Sequence, residues 1–353
     1  MKILICPDSY KGTLSSLQVC ECIKASLLES DSSLEIITIP FADGGEGFSE
    51  CMRNICKGNI LYADCHDIFS RPIKAQYTVF GDTAVIECAQ ASGLLKRKDV
   101  MQATSYGTGE LIKSAVSEGF SNIILGLGGT GCCDGGAGAL AALGTVFYDE
   151  NYKTIPCPKG RDLNYIYGAG FRNIVKGINF TFACDVNNEL FGKNGAAYVF
   201  APQKGAHETD VDELDEGLKR LNAFLPNDVR AVKGGGAAGG ICAGLYSVYG
   251  GEIKSGFDIL SEFSKLEETI KSCDLIVTGE GKTDSQTLMG KLPYKLAVLA
   301  EKYSKKCTVI SGIIDNVSFG DKMISLVDEN TSVQDALQNP ESVLFKKAKN
   351  ILK

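Results

Sequence analysis

Apolar residues along the chain fall into short, nearly unbroken runs over residues 3–5, 36–39, 123–125, 275–277 and 309–310. Each is of strand length without polar alternation, the pattern of a parallel strand covered on both faces. Helical spacing takes over between them. Leu14, Leu17, Cys20, Ile23 and Leu27 share one face at intervals of three and four, with Thr13, Ser15 and Ser16 at hand as caps. Leu292, Leu296 and Leu299 repeat the pattern over residues 292–303. Strands alternating with helices predict a doubly wound parallel α/β sheet.

Other segments have a different rhythm. Ile73, Ala75, Tyr77 and Val79 alternate with polar residues, and Gly81-Asp82 separates them from Ala84-Val85-Ile86, which predicts a hairpin. Residues 180–184 and 197–200 are further candidate strands. A second, mixed α+β domain follows, built from chain that leaves and re-enters the first. The expected division is 1–50, 104–148 and 256–353 for the doubly wound domain, with 51–103 and 149–255 for the second.

Composition narrows the classes. With 353 residues, 44% hydrophobic and 22% charged, the chain can bury a sizeable core. A net charge of −7 without any basic run argues against a nucleic-acid surface. Fourteen cysteines form no C-x-x-C pair, only two histidines are present, and several thiols sit inside apolar runs (Cys88, Cys184, Cys273). MKILICPDSYKG has no signal-peptide core followed by a cleavage site, and the uncharged stretch 234–251 is too rich in glycine for a membrane helix. The expectation is a cytoplasmic protein with free thiols and no membrane partner. Cys132-Cys133, in a Gly-rich loop, reads as small-residue packing that is open to alkylating agents.

The forty glycines are not spread evenly. They gather beside polar groups at 8–12, 43–47, 126–138, 234–240 and 279–284, mostly just after predicted strands. In an open α/β sheet that edge is where ligands bind, and glycine lets backbone N–H groups approach an anion. Gly126 to Gly131 fits G-x-G-x-x-G, as does Gly234 to Gly239, so the match is cheap in such a chain. Gly281-Lys282-Thr283 is no Walker A loop, because Ile276 stands where the first glycine belongs.

Asp8, Asp43, Glu46, Asp134, Asp185, Glu280 and Asp284 all neighbour glycine or a strand end. Carboxylates near an anionic ligand are sensible when Mg²⁺ lies between them. Backbone donors, a metal, a few cations (Lys11, Lys204, Lys282, Lys291) and an acid at the nucleophilic hydroxyl are the parts of phosphoryl transfer. No G-x-S-x-G elbow is present, and His66 and His207 lie in polar stretches.

With these residues in view, the sequence resembles the type-1 glycerate kinase family over residues 3–311. PDSYKGTLSS at 7–16, PFADGGEGF at 40–48, TSYGTGELI at 104–112, GLGGTGCCDGGAG at 126–138, ACDVNNELFGKNGAAYVFAPQKGA at 183–206, GGGAAGG at 234–240 and TGEGKTDSQTLMGK at 278–291 occur in the family's order. The resemblance implies ATP-dependent phosphorylation of D-glycerate with Mg²⁺, 2-phosphoglycerate being favoured over 3-phosphoglycerate. It also implies two α/β domains, one flavodoxin-like (Rossmann-like), with the site in the cleft between them. On that basis Asp185, Asp284 and Lys11 are the catalytic candidates, and Asp8, Ser9 and Lys204 bind substrate. Gly128, Gly129, Thr130, Asp134, Gly235, Gly236 and Lys291 bind nucleotide, and Asp43, Glu46 and Glu280 place the metal. Cys132 and Cys133 depart from the usual Thr and Asn, Glu189 from Pro, Lys282 from Arg and Ala201 from Gly. A thiol cannot reproduce an amide's donor and acceptor pair, so altered ligand affinity is expected there. The alternatives are an NAD(P)-dependent oxidoreductase of small hydroxy acids, from Gly126 to Gly131, and a non-catalytic nucleotide-binding protein.

Overall fold

The computed structural model describes residues 1–42, 44–172 and 174–353. Its chain divides into two units: Met1–Ala42, Glu50–Cys56 and Phe257–Lys353 form the first, Asp43–Ser49 and Lys57–Gly256 the second.

The first unit holds a five-stranded sheet in the order Lys322–Ser325, Lys306–Ser311, Leu275–Thr278, Lys2–Ile5, Glu35–Thr38. Every pairing is parallel. The unbroken apolar runs have a physical cause: Ile3, Leu4, Ile5, Ile276, Val277, Val309 and Ile310 are all fully buried. Helix Ser16–Ser30 begins at a capping box, in which Ser15 Oγ accepts the Gln18 N–H and Gln18 Oε1 accepts the Ser15 N–H. It turns Val19, Cys20, Ile23 and Leu27 onto the core that includes Ile3 and Ile5. Truncating Ile23 to Ala there would cost about 2–5 kcal/mol.

The second unit holds a six-stranded sheet in the order Glu252–Lys254, Asn179–Ala183, Asn122–Gly126, Thr83–Glu87, Pro72–Phe80, Asn59–His66. The first three pairings are parallel and the last two antiparallel. The hairpin closes as expected, Phe80 opposite Thr83 with Gly81 at φ 53° in the turn. A small three-stranded sheet, Thr154–Ile155, Val146–Tyr148 and Gly168–Gly170, belongs to the same unit.

Two expectations differ from the structure. Residues 122–126, placed with the doubly wound sheet from sequence, pair instead with Thr83–Glu87 and Asn179–Ala183. An unbroken apolar run says that both faces are covered and nothing about which sheet covers them. Residues 197–200 lie in helix Ala196–Phe200, started by Gly195 and followed by Pro202. A run that short has no period to separate strand from helix. Among the described residues no helix is long and apolar enough to cross a membrane.

Candidate functional site

In the first unit, adjacent parallel strands bring the loops that follow them together. The Asp8 N–H donates to the Gly279 carbonyl at 2.9 Å, and the Tyr10 hydroxyl donates to the Ile310 carbonyl at 2.6 Å. Gly279 is required by clearance, since a Cβ there would lie 1.6 Å from the Ile310 oxygen. Asp8 Oδ1 accepts the Ser9 N–H; Asp8 and Ser9 are half-buried, and Lys11 is exposed.

Glu280, 6% exposed, is the hub of this loop. Its Oε1 accepts Thr287 Oγ1 at 2.6 Å and Thr283 Oγ1 at 3.3 Å, and its Oε2 receives Lys291 Nζ at 3.2 Å. Thr283 Oγ1 also meets Ser311 Oγ at 2.8 Å. Asp284 is fixed differently. Its N–H donates to Thr287 Oγ1, its Oδ1 accepts the Gln286 N–H at 3.0 Å, and Lys282 reaches both Asp284 at 3.4 Å and Asp315 at 3.3 Å. The Gln286 N–H, with the Lys282 ammonium, holds the Asp284 carboxyl below the usual carboxylate range. Thr283, Thr287 and Ser311 were missed from sequence. The only local signal is the three-residue spacing of Asp284 and Thr287, that of a side-chain-capped turn.

In the second unit three motif loops converge. Gly44 faces the carbonyl of Ala183 and the carboxylate of Asp185, each 3.2 Å from where its Cβ would be. A Cβ on Gly128 would lie 2.5 Å from the Cα of Gly45, and the Gly128 N–H points at the Gly44 carbonyl at 3.4 Å. Gly44-Gly45 and Gly126 to Gly128 are thus packed backbone to backbone, with the Asp185 side chain against Gly44. Asp185 is exposed, with Oδ2 accepting the Gly256 N–H at 3.2 Å, and Glu46 is exposed on the same Gly-rich turn. Asp43 lies outside the described residues.

Lys204 is buried in this unit, with Nζ donating to Thr130 Oγ1 at 3.2 Å and to the Cys132 carbonyl at 2.8 Å. Asp134 is sealed. Its Oδ2 accepts the Ser105 N–H and Oγ and the Gly138 N–H, and its Oδ1 accepts the Gly136 N–H. Burial pushes its carboxyl up despite those bonds. The chain after Gly131 runs through this knot, and the next helix starts only at Ala137, so the dinucleotide fingerprint lacks its prompt helix. Gly235 and Gly236 are buried, their N–H groups bonded to the carbonyls of Val232 and Asn188. Gly129 carries the carbonyl that accepts the Leu94 N–H.

The expectation of alkylatable thiols at Cys132 and Cys133 is corrected. Both are enclosed, and burial pushes Cys133 up to about 12 and Cys132 well above its ordinary value. What Cys132 offers Lys204 is its carbonyl, which any residue would supply.

Strand-end loops carrying glycine, carboxylates and lysines make up the equipment of a small-molecule kinase. The chain matches the model of the Glycerate kinase family over residues 3–353, and it belongs to that family. It is 41% identical over 324 residues to a glycerate 2-kinase of Escherichia coli (strain K12), covering 88% of this chain and 85% of that one. A glycerate kinase of Bacillus cereus is 37% identical over 370 residues, at 99% and 97% coverage. The crystal structure of a protein assigned as glycerate kinase 2 from Salmonella typhimurium LT2 superposes with a TM-score of 0.88 at 36% identity, covering 99% of this chain and 97% of that one. Membership makes this protein a kinase, with ATP and glycerate as its substrates.

Proposed function

We propose that the enzyme phosphorylates D-glycerate at its 2-hydroxyl in a Mg²⁺-dependent reaction. The preference for the 2-position is supported by the 41% identity to a glycerate 2-kinase. The observation that carries the chemistry is the convergence of Gly44-Gly45, Gly126 to Gly128 and Asp185, an exposed carboxylate beside close-packed glycine turns. Asp185 takes the hydroxyl proton as the glycerate oxygen bonds to the γ-phosphorus and the bond to the ADP oxygen breaks. Asp284 is the second candidate for that role. Lys11 and Lys204, with Asp8 and Ser9, bind the substrate; Gly128, Gly129, Thr130 and Lys291 bind the nucleotide. Asp134, Gly235 and Gly236 shape the loops that do so.

Among the described residues no three acidic, histidine or cysteine side chains gather as a self-contained metal site. That suits Mg²⁺, which binds through one or two carboxylates plus phosphate oxygens and water. The exposed carboxylate of Glu46 fits this donor set, whereas both oxygens of Glu280 already accept internal hydrogen bonds. When bound, the ion neutralises charge on the β- and γ-phosphates. A reducing, cytoplasmic setting is supported by fourteen free thiols.

A coupled ADP-release assay with D-glycerate, with NMR identification of the product, tests this reading. 2-Phosphoglycerate is expected. 3-Phosphoglycerate would overturn the regiochemistry, and no ADP release would overturn the proposal.

A further inference from the structure

Lys204 is 3% exposed, and among the described residues it makes no ion pair: its partners are a hydroxyl and a carbonyl. Both are neutral acceptors, so the positive charge is solvated but not balanced. Three thiols lie close enough to feel it, those of Cys88, Cys132 and Cys133. Burial pushes Cys88 and Cys133 up to about 12, so neither supplies a thiolate at neutral pH. The carboxylate of Asp134 also acts on Cys132 and Cys133, but it makes no ion pair with Lys204 and is held instead by Ser105, Gly136 and Gly138. An enclosed charge without a counter-charge is costly, and such charges concentrate where a ligand completes the balance.

We propose that Lys204 and Thr130 form an anion subsite whose counter-charge is brought by the ligand, so that the empty protein is less stable than its shape allows. The ligand group is a small oxyanion, carboxylate or phosphate. Lys204 contributes one charged donor and Thr130 a hydroxyl already oriented against it. The kinase reading supplies only the names of the two sources, the glycerate carboxylate and a nucleotide phosphate. The subsite itself rests on burial and charge. Because the uncompensated ammonium opposes folding until an anion arrives, removing the charge while keeping the volume stabilises the free protein and abolishes its response to the anion.

The experiment is thermal unfolding of the wild type and of Lys204→Met, each titrated separately with D-glycerate, with ATP in the absence of Mg²⁺, and with inorganic phosphate. At least one probe should raise the wild-type midpoint. Lys204→Met should melt at or above the free wild type and bind that probe at least about tenfold more weakly, the loss expected for one charge-assisted contact. The arm that loses its shift identifies the source, glycerate or nucleotide. Thr130→Val should weaken the same arm while leaving the other unchanged. A wild type unmoved by all three probes overturns the proposal. So does a Lys204→Met protein that melts several degrees lower and keeps the shift, or failure of both Lys204→Met and Lys204→Gln to fold. ADP release by the wild type with D-glycerate tests the kinase reading separately, and an anion-induced shift without it would leave the subsite standing.

Discussion

Thr287 Oγ1 donates to Glu280 Oε1 at 2.6 Å while accepting the N–H of Asp284 at 3.1 Å. One buried hydroxyl therefore sets the position of two acids. Thr287→Val keeps the shape and removes both bonds, leaving a buried carboxylate short of a donor and a backbone N–H without its acceptor. A loss of about 1–3 kcal/mol in chemical denaturation is expected, with Thr287→Ser recovering most of it. Equal stability of the Val and Thr proteins would show that the bond is not formed.

Glu280 and Lys291 form the next link. Glu280→Gln should raise KM for ATP by loosening Lys291 while leaving the Mg²⁺ concentration for half-activation unchanged. Lys291→Met should do the same, and the double variant should be little worse than either single one, as two residues acting as a unit require. A large rise in the Mg²⁺ requirement of Glu280→Gln would instead mark a metal ligand.

Asp185→Asn retains an oxygen to accept the Gly256 N–H, so folding should survive. As the hydroxyl's base, Asp185 should be worth about 10²–10⁴ in kcat, with ATP binding retained. Near-normal turnover would pass the role to Asp284, whose Asn variant is the companion measurement. Lys11→Ala should raise KM for glycerate or lower kcat, and unchanged kinetics in both would remove Lys11 from the site.

Acid sensitivity has a definite sign. The carboxyls of Asp284, Asp31, Asp228 and Asp335 are held below the usual range by backbone and side-chain donors, so each stabilises the folded protein above its unfolded value. That contribution disappears as pH falls below about 4, the ordinary carboxylate range. Asp134, pushed up by burial, acts oppositely: its contribution is present at low pH and is lost as pH rises through its folded value. Thermal midpoints measured from pH 7 to 3 should fall at the acid end, and Asp284→Asn should flatten that fall.

Cys132 and Cys133 should resist iodoacetamide in the folded protein and label only on unfolding, by mass spectrometry of the intact chain. Labelling under native conditions would contradict their enclosure.

Strands and helices were legible wherever burial leaves an uninterrupted run or a three-to-four spacing, as at 3–5, 275–277 and the helix led by Ser15. Sheet membership was not, because Ile123 and Ile276 look alike to their neighbours in sequence and differ only in which strand lies beside them. In the candidate site, motif order carried the family. Asp134 reads like Glu46 on paper, each an acid beside glycines, yet one is sealed by donors from Ser105, Gly136 and Gly138 and the other exposed. Lys204 and Lys11 are equally ordinary in sequence. Only the fold puts one against Thr130 and leaves the other in solvent. Ser311 and Thr283 meet across many residues of chain, a pairing no local pattern encodes.

Gly279, whose missing side chain lets the Ile310 carbonyl approach, matters for how this enzyme would be read by saturation mutagenesis. Every substitution at 279 should fail, through displacement of the adjoining strand, as completely as loss of a reacting group. A tolerance map scored by activity alone would therefore mark this spacer as chemistry, and only a parallel abundance measurement would tell it apart from Asp185.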